Sequence, residues 1–182
     1  MSRPRITNAL KGSLGEIYYK EYCDQRGWAY ISLENLYFMK NDEWVFTFKK
    51  GFNRIRVKIP QNIRNEVEAM IQPTNGSAQN PSFVFDFLAC RVGTRKKYFP
   101  VNYPEELCWV EIKTGRGTFS DSQVFAMSQI TLKLAIFQID AVLESPFEVN
   151  MTYLIKSGKE WLAEFEILER QLAPRFENSD LR

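Results

Sequence analysis

The segment from Phe83 to Cys90 constrains this chain most, because one carboxylate interrupts an otherwise apolar run. Its residues, Phe-Val-Phe-Asp-Phe-Leu-Ala-Cys, have the length and composition of a buried β-strand with Asp86 in its middle. A lone carboxylate in a buried strand is costly unless it is paired or bound to a cation. We therefore expect Asp86 to have a charged partner in the fold.

A second predicted strand, Leu107 to Lys113, provides that partner. The two-residue period of a strand puts Glu111 and Lys113 on one face and Ile112 on the other. If the two strands are neighbours, Asp86 meets Glu111 and Lys113 at one end of a sheet. Two carboxylates and the backbone carbonyl of Ile112 form an oxygen environment that Mg²⁺ or Mn²⁺ prefers.

Such a site predicts phosphodiester hydrolysis. A bound metal can activate water and stabilise the charge of the reacting phosphate, while Lys113 would orient the water and neutralise phosphate charge. The turn that follows, Thr114-Gly115-Arg116-Gly117, is cationic and flexible. We expect a nucleic-acid backbone to approach Thr114 and Arg116 there.

Composition excludes several other mechanisms. The 182 residues contain no histidine, which excludes Ser-His-Asp and Cys-His catalysis and histidine-based zinc sites. The three cysteines are widely spaced and odd in number, which argues against a disulfide framework or a zinc centre. No apolar run is long enough for a membrane span. We expect one domain over residues 1–182, in a reducing cytoplasmic setting without membrane partners.

The net charge of +2 conceals an asymmetry. Residues 1–100 carry 16 basic and 9 acidic side chains, a balance of +7, whereas residues 101–182 carry 8 and 13, a balance of −5. Lysine and arginine contacts to phosphate dominate nucleic-acid affinity. Two basic groups are therefore candidate DNA contacts, with solvated surface charge as the alternative: the stripe Arg54, Arg56 and Lys58, and the cluster Arg95, Lys96 and Lys97.

The remaining pattern predicts an α/β fold with a mixed central sheet flanked by helices. A first helix from Ser13 to Arg26 would be capped by Ser13 and would end before Gly27. The pattern from Trp28 to Ile59 is strand-like and includes a hairpin, with arms Trp44 to Phe48 and Arg54 to Ile59 and a turn from Lys49 to Asn53. In its second arm Ile55, Val57 and Ile59 alternate with the basic residues. Further predicted elements are a short helix from Gln61 to Gln72, a loop from Pro73 to Ser82, a helix from Ser120 to about Leu134, strands from Phe137 to Leu143 and from Phe147 to Ile155, and a final helix from Ser157 to Leu172.

Taken in order, these motifs resemble the PD-(D/E)XK nucleases. Lys11-Gly-Ser-Leu-Gly-Glu16 looks like the K-G-S-x-x-E opening of archaeal Holliday junction resolvases, and Phe85-Asp-Phe-Leu-Ala resembles their P-D strand. Glu111 to Gln123 is similar to the E-x-K-x-x-x-G-x-L-S-x-x-Q pattern of virus-type replication-repair nucleases. The resemblance implies a restriction-endonuclease-like core at about residues 11–27 and 83–155, with a hairpin-containing insertion at about residues 28–82.

The resemblance also implies roles and partners. Glu16 would join the metal site directly or through water, Gln123 would support it, and Lys11 and Ser13 would contact DNA. Branched DNA would be the substrate, a homodimer the assembly, and recombination or repair the setting.

Several features depart from the family or allow other interpretations. Phe85 replaces the family proline, and Met127 stands where an end-processing exonuclease would have tyrosine. Ser13-x-x-Glu16 and Ser120-x-x-Gln123 are also formal capping boxes, so Glu16 and Gln123 could serve only as helix caps. Two other functions stay open at this point: a non-catalytic nucleic-acid-binding or assembly protein, and a sequence-specific restriction-type nuclease.

Overall fold

A mixed β-sheet lies at the centre of the protein. The computed structural model describes residues 8–77, 80–93, 101–115, 118–142 and 148–164. Within them, seven strands form one sheet and two short strands form a separate hairpin. In chain order the strands are β1 Ala29–Ser32, β2 Val45–Lys50, β3 Asn53–Lys58, β4 Asn75–Ser77, β5 Asn80–Ser82, β6 Phe87–Val92, β7 Pro104–Thr114, β8 Lys133–Val142 and β9 Glu148–Lys156.

Helices cover both faces of the sheet. They are α1 Asn8–Arg26, α2 Leu33–Phe38, α3 Arg64–Met70, α4 Asp121–Gln129 and α5 at residues 158–164. Tyr19 and Cys23 of α1 pack with Phe87, Val110 and Phe137 on one face. The other face has a separate core, in which the sheet residues Leu88, Trp109 and Leu134 are joined by side chains from the remaining helices: Leu36, Val67, Met127 and Trp161.

The sheet order is β3-β2-β1-β6-β7-β8-β9. Strands β7 and β8 are parallel, with α4 in the connection between them, and every other neighbouring pair is antiparallel. The predicted α/β class with a helix-flanked mixed sheet is therefore confirmed. The segment at residues 28–82 contributes β1, β2 and β3, and β1 pairs directly with β6.

The β2–β3 hairpin confirms the predicted alternation. Ile55, Val57 and Ile59 are buried, whereas Arg54 and Arg56 are exposed on the opposite face. Apolar residues at every second position pack against the core, so the charged residues between them face away from it.

The first helix begins earlier than predicted. Helix α1 starts at Asn8, so Ser13 lies inside it and is not its N-cap. The residues between Asn8 and Ser13 include strong helix formers, which extend the helix upstream. The capping-box interpretation of Ser13 and Glu16 is therefore wrong. The predicted end is confirmed, since Gly27 follows the helix with a positive φ of 71°.

Helix α2 is a second correction, because it interrupts the stretch from Trp28 to Ile59 that was predicted to be strand-like. The side chain of Ser32 accepts a hydrogen bond from the amide of Asn35 at 3.2 Å and caps the helix. Leu33 and Leu36 are three residues apart and both buried. The sequence pattern did not reveal this three-residue spacing, because strand-like residues flank it on both sides.

Two predicted boundaries were also wrong. Asp86 lies in a bend before β6, which starts at Phe87, and not in the middle of a strand. Helix α4 ends at Gln129 rather than near Leu134, because Ile130 is extended and β8 begins at Lys133. The last predicted helix is described only for residues 158–164. Phe165, Leu168 and Leu172, which the prediction includes in this helix, lie outside the described residues.

We expect the contact between α1 and β7 to limit the size of the residue at position 15. A Cβ atom on Gly15 would lie 2.8 Å from the Thr114 Cγ2 atom and 3.0 Å from the Ile112 Cγ2 atom. Gly15→Val should lower the free energy of unfolding by about 1–3 kcal/mol, because it overpacks this interface. Urea denaturation measures this loss.

Gly12→Val is the matched control in the same helix. Among the described residues, no contact lies within 4 Å of a Cβ atom at Gly12. Valine and glycine differ little in helix propensity, so stability should change by less than about 0.5 kcal/mol. Equal effects of the two substitutions would contradict the close packing of α1 on β7.

Candidate functional site

The site forms where β6 begins, beside the end of β7. The backbone amide of Asp86 donates to the carbonyl of Val110 at 3.0 Å. The Asp86 carboxylate accepts a hydrogen bond from the amide of Ile112 through Oδ2 at 2.7 Å. The bend before β6 thus holds the Asp86 side chain against β7, next to Glu111.

Glu111 is the most buried charged residue of the site, with 4% of its surface exposed. Its Oε1 atom accepts from Lys113 Nζ at 2.8 Å and from Gln123 Nε2 at 2.7 Å. The Lys113 ammonium also donates to Gln123 Oε1 at 3.0 Å and lies 4.4 Å from the centre of the Phe119 ring. The three polar side chains close a triangle in which each contacts the other two.

Gln123 joins this triangle to helix α4. Ser120 Oγ accepts from the Gln123 amide, and Gln123 Oε1 accepts from the Ser120 amide, which completes a capping box. Gln123 Nε2 also donates to the carbonyl of Val84 at 3.0 Å. Gln123 therefore serves both as a helix cap and as a support for Glu111 and Lys113, two roles that were posed as alternatives.

The electrostatics of the carboxylate pair favour extra positive charge. Burial, followed by the negative charge of Glu111, raises the pKa of Asp86 from 3.8 to about 7, against the amide of Ile112. Burial also raises the pKa of Glu111, although Lys113 and Gln123 oppose that shift. Among the described residues, Glu111 Oε2 is buried without a hydrogen-bond partner. A proton or a cation would stabilise this pair.

The donor set fits a hard divalent cation only in part. Within the described ranges, no three side chains of His, Cys, Asp or Glu lie close enough together to hold a metal. Asp86 and the free Glu111 Oε2 atom are available, and the Ile112 carbonyl faces the same strand edge as its amide, toward Asp86. Mg²⁺ usually keeps several waters and binds through one or two carboxylates, so a magnesium site does not require three acidic side chains.

Glu16 stands apart from the other two carboxylates. It forms an ion pair with Lys20 at 2.7 Å, one helical turn away, and its side chain is 47% exposed. Its negative charge still contributes to the raised pKa of Asp86. Glu16 therefore faces the site but does not complete a three-carboxylate group.

A cleft of about 730 Å³ opens beside Asp86. Glu16 and Lys20 of α1 line it, together with Lys49 and Arg54 of the β2–β3 hairpin. The register places Lys49 directly opposite Arg54, so both side chains lie on the same face of the sheet. The charged side chains that line the cleft are thus three basic ones, Lys20, Lys49 and Arg54, and three acidic ones, Glu16, Glu34 and Asp86.

The predicted DNA contacts have different locations. Arg54 lines the cleft, and Arg56 and Lys58 share its face of the hairpin, where Arg56 lies 3.8 Å from Glu43. Lys11 and Ser13 are exposed on α1, and Thr114 ends β7 beside Gly15. Four predicted contacts lie outside the described residues: Arg95, Lys96, Lys97 and Arg116.

Sequence reasoning missed two basic residues of the cleft, Lys20 and Lys49. Lys49 was assigned to a turn, but it belongs to β2. The alternation with buried Phe46 and Phe48 would have placed it on the basic face. Lys20 could have been found from its position one turn after Glu16, which places both side chains on one face of the helix.

Comparison with known proteins identifies no relative. No family model, curated protein or solved structure matches the chain. In the part of the chain that the structure describes, the helices are too short or too polar to cross a membrane. The function must therefore be argued from the geometry of the site.

We expect Asp86 to make stability depend on pH. Its folded pKa of about 7 exceeds the ordinary 3.8, so the folded state holds more protons between these values. The free energy of unfolding therefore falls as pH rises through this range. Asp86→Asn keeps an oxygen acceptor for Ile112 and removes the charge. At pH 8 without metal, it should be more stable than wild type by roughly 1–4 kcal/mol.

Urea denaturation in EDTA at pH 4 and at pH 8 measures this difference. The two proteins should be nearly equal at pH 4, where Asp86 is protonated. Asp140→Asn, an exposed site in β8, serves as the control and should follow the wild type at both values. A gain for Asp86→Asn that is the same at pH 4 and pH 8 would contradict the raised pKa.

Proposed function

We propose that the protein is a divalent-metal-dependent endonuclease that hydrolyses DNA phosphodiester bonds, with branched DNA as its substrate. The observation that carries the proposal is the electrostatic contact between Asp86 and Glu111, with Lys113 bound to Glu111, beside a cleft that Asp86 lines together with basic side chains. A carboxylate pair with a nearby lysine suits metal-assisted hydrolysis.

The order of the elements supports the same function. A helix with Glu16 comes first, then the strand after Asp86, the strand with Glu111 and Lys113, and the helix that begins near Gln123. This is the motif order of the PD-(D/E)XK nucleases that the chain resembles. We therefore propose a restriction-endonuclease-like core with the β2–β3 hairpin as an addition. The dimer that the resemblance implies stays a prediction.

Four groups would hold Mg²⁺ or Mn²⁺. Asp86, Glu111 and the carbonyl of Ile112 would bind it, and Glu16 would act through water, because Glu16 does not complete a three-carboxylate group. When bound, the ion supplies an activated water and stabilises negative charge on the phosphate. A cation would stabilise the charged form of Asp86, whose pKa is raised, and would give the unpaired Glu111 Oε2 atom a partner.

Lys113 and Gln123 position the site. The ammonium of Lys113 is held between Glu111 Oε1 and Gln123 Oε1, so its direction is restricted from two sides. In that position it would orient the attacking water and offset phosphate charge. Gln123 keeps Glu111 and Lys113 in place through α4, which makes it a positioning residue.

A second candidate function follows from the same contacts. Glu111 and Lys113 already neutralise each other, and the described residues hold no group of three metal-ligating side chains. A protein that binds nucleic acid without cleaving it would also have this arrangement, with the carboxylates serving the fold. Cleavage is the property that separates the two functions.

We expect purified protein to cleave a four-way DNA junction in Mg²⁺ or Mn²⁺ and not in EDTA. Asp86→Ala and Glu111→Ala should each lower the cleavage rate by at least about 100-fold, and Lys113→Met should do the same, since each removes a charge from the site. Gel analysis of labelled junctions, with a matched linear duplex, measures both rate and preference.

Asp140→Asn controls for removal of a carboxylate elsewhere in the sheet and should cleave like the wild type. If Asp86→Ala cleaves at the wild-type rate, the activity belongs to a contaminant and the assignment is wrong. Metal-independent binding that Glu111→Ala leaves unchanged, with no cleavage, would establish the second function instead.

The basic side of the cleft gives a separate prediction for binding. The logarithm of the DNA association constant falls as the logarithm of the salt concentration rises. Lys49→Ala and Arg54→Ala should each make this slope shallower by about 1, because each removes one phosphate contact. Fluorescence anisotropy with a labelled four-way junction in EDTA, between about 50 and 200 mM salt, measures the slope.

Lys133→Ala is the matched control for this measurement. Lys133 is exposed at the start of β8, opposite Cys108 and away from Glu111 along β7. Its substitution should leave the slope unchanged. If Lys133→Ala makes the slope as shallow as Lys49→Ala does, DNA does not bind preferentially in the cleft.

A further inference from the structure

We propose that the cleft beside Asp86 takes an unpaired DNA strand, whose bases stack on an aromatic rim formed by Tyr37, Phe38 and Phe83. This inference rests on the proposed nuclease function and specifies the form of its substrate. The nuclease would act on a single-stranded segment, such as a flap or an opened arm of branched DNA.

The rim is formed by α2 and by the segment before β6. Helix α2 buries Leu33 and Leu36, which leaves Tyr37 and Phe38 38% and 57% exposed. The ring centre of Tyr37 lies 5.2 Å from that of Phe38 and 5.8 Å from that of Phe83. The three rings therefore form one continuous aromatic surface.

This surface reaches the cleft. Phe83 lines it, and so does Met39, the residue directly after Phe38. Met39 is itself 45% exposed. Adjacent exposed apolar side chains at the end of a short helix add little to the core, and contiguous patches of this kind mark interaction sites.

Charges in the same cleft select a nucleic acid as the occupant. Lys49 and Arg54 lie side by side in the cleft, opposite each other in register. The cleft also holds Glu34, Asp86 and the Glu16–Lys20 ion pair, so Lys49 and Arg54 are its cations for phosphate. Adjacent cations beside aromatic rings are the combination that binds single strands, because phosphates contact the cations while bases stack on the rings. An apolar peptide would use the rings but not the paired cations.

The form of the DNA follows from stacking and from size. A base can stack on a protein ring only when it has left the duplex. The cleft volume of about 730 Å³ is in the range of small-ligand pockets, roughly 300–1,000 Å³. It has room for a few nucleotides of one strand and not for a double helix.

The test compares two DNA probes in EDTA, where hydrolysis cannot occur. The probes are a fluorescein-labelled oligothymidine of about 20 nucleotides and a duplex of the same length. Tyr37→Ala and Phe38→Ala should each weaken binding of the single strand by about 5- to 150-fold, the effect of losing one stacked base. Their effect on the duplex should be less than about twofold.

Three further variants separate stacking from general damage. Phe38→Trp keeps a ring and should bind like the wild type, whereas Phe38→Leu keeps apolar surface without a ring and should resemble Phe38→Ala. Phe125→Ala removes another exposed ring, on α4 outside the cleft, and should bind normally. Urea denaturation of each variant checks that loss of binding is not loss of folding. The fluorescence of 2-aminopurine placed in the single strand should be quenched by the wild type, Phe38→Trp and Phe125→Ala, and not by Phe38→Leu.

The outcomes distinguish this inference from the nuclease proposal. Equal losses on single strand and duplex, normal binding by Phe38→Leu, or no loss in Phe38→Ala would each overturn the aromatic rim, even if Asp86-dependent cleavage is present. Cleavage that does not depend on Asp86 would overturn the nuclease while the ring-dependent binding, measured in EDTA, still stands.

Discussion

The carboxylate of Glu111 is almost completely removed from water, and the arrangement of the site follows from compensating its charge. Burying an unpaired carboxylate costs far more than a protein of this size can lose. Lys113 provides the opposite charge from the same strand face, and Gln123 provides a second donor from α4. This requirement ties the start of α4 to the end of β7 and holds the bend before β6 through Val84.

Compensation of these buried charges is incomplete. One oxygen of Glu111 has no hydrogen-bond partner in the described structure, and Asp86 holds its proton up to a pKa of about 7. Both features cost stability in the free protein. Sites that bind a cation or a substrate often retain such a cost, because the ligand removes it when it binds.

Much of the fold could be predicted because it depends on local pattern. A few adjacent residues encode the alternation in the β2–β3 hairpin and the end of α1 at Gly27. The same holds for the central strands. The errors occurred where tertiary contacts compete with pattern. Leu33 and Leu36 form a helix because both can reach the core from α2, and Asp86 leaves the strand because its carboxylate bonds to Ile112.

By itself the sequence determined which chemistry is available: no histidine, a carboxylate in one apolar segment, and a Glu-x-Lys pair in another. Only the tertiary structure decided which groups meet. It placed Asp86 beside Glu111, made Gln123 the link between cap and site, left Glu16 with Lys20, and brought Lys49 and Phe83 to one cleft. The physical reason is that periodicity specifies the face on which a side chain lies, whereas strand order and helix packing specify its neighbours.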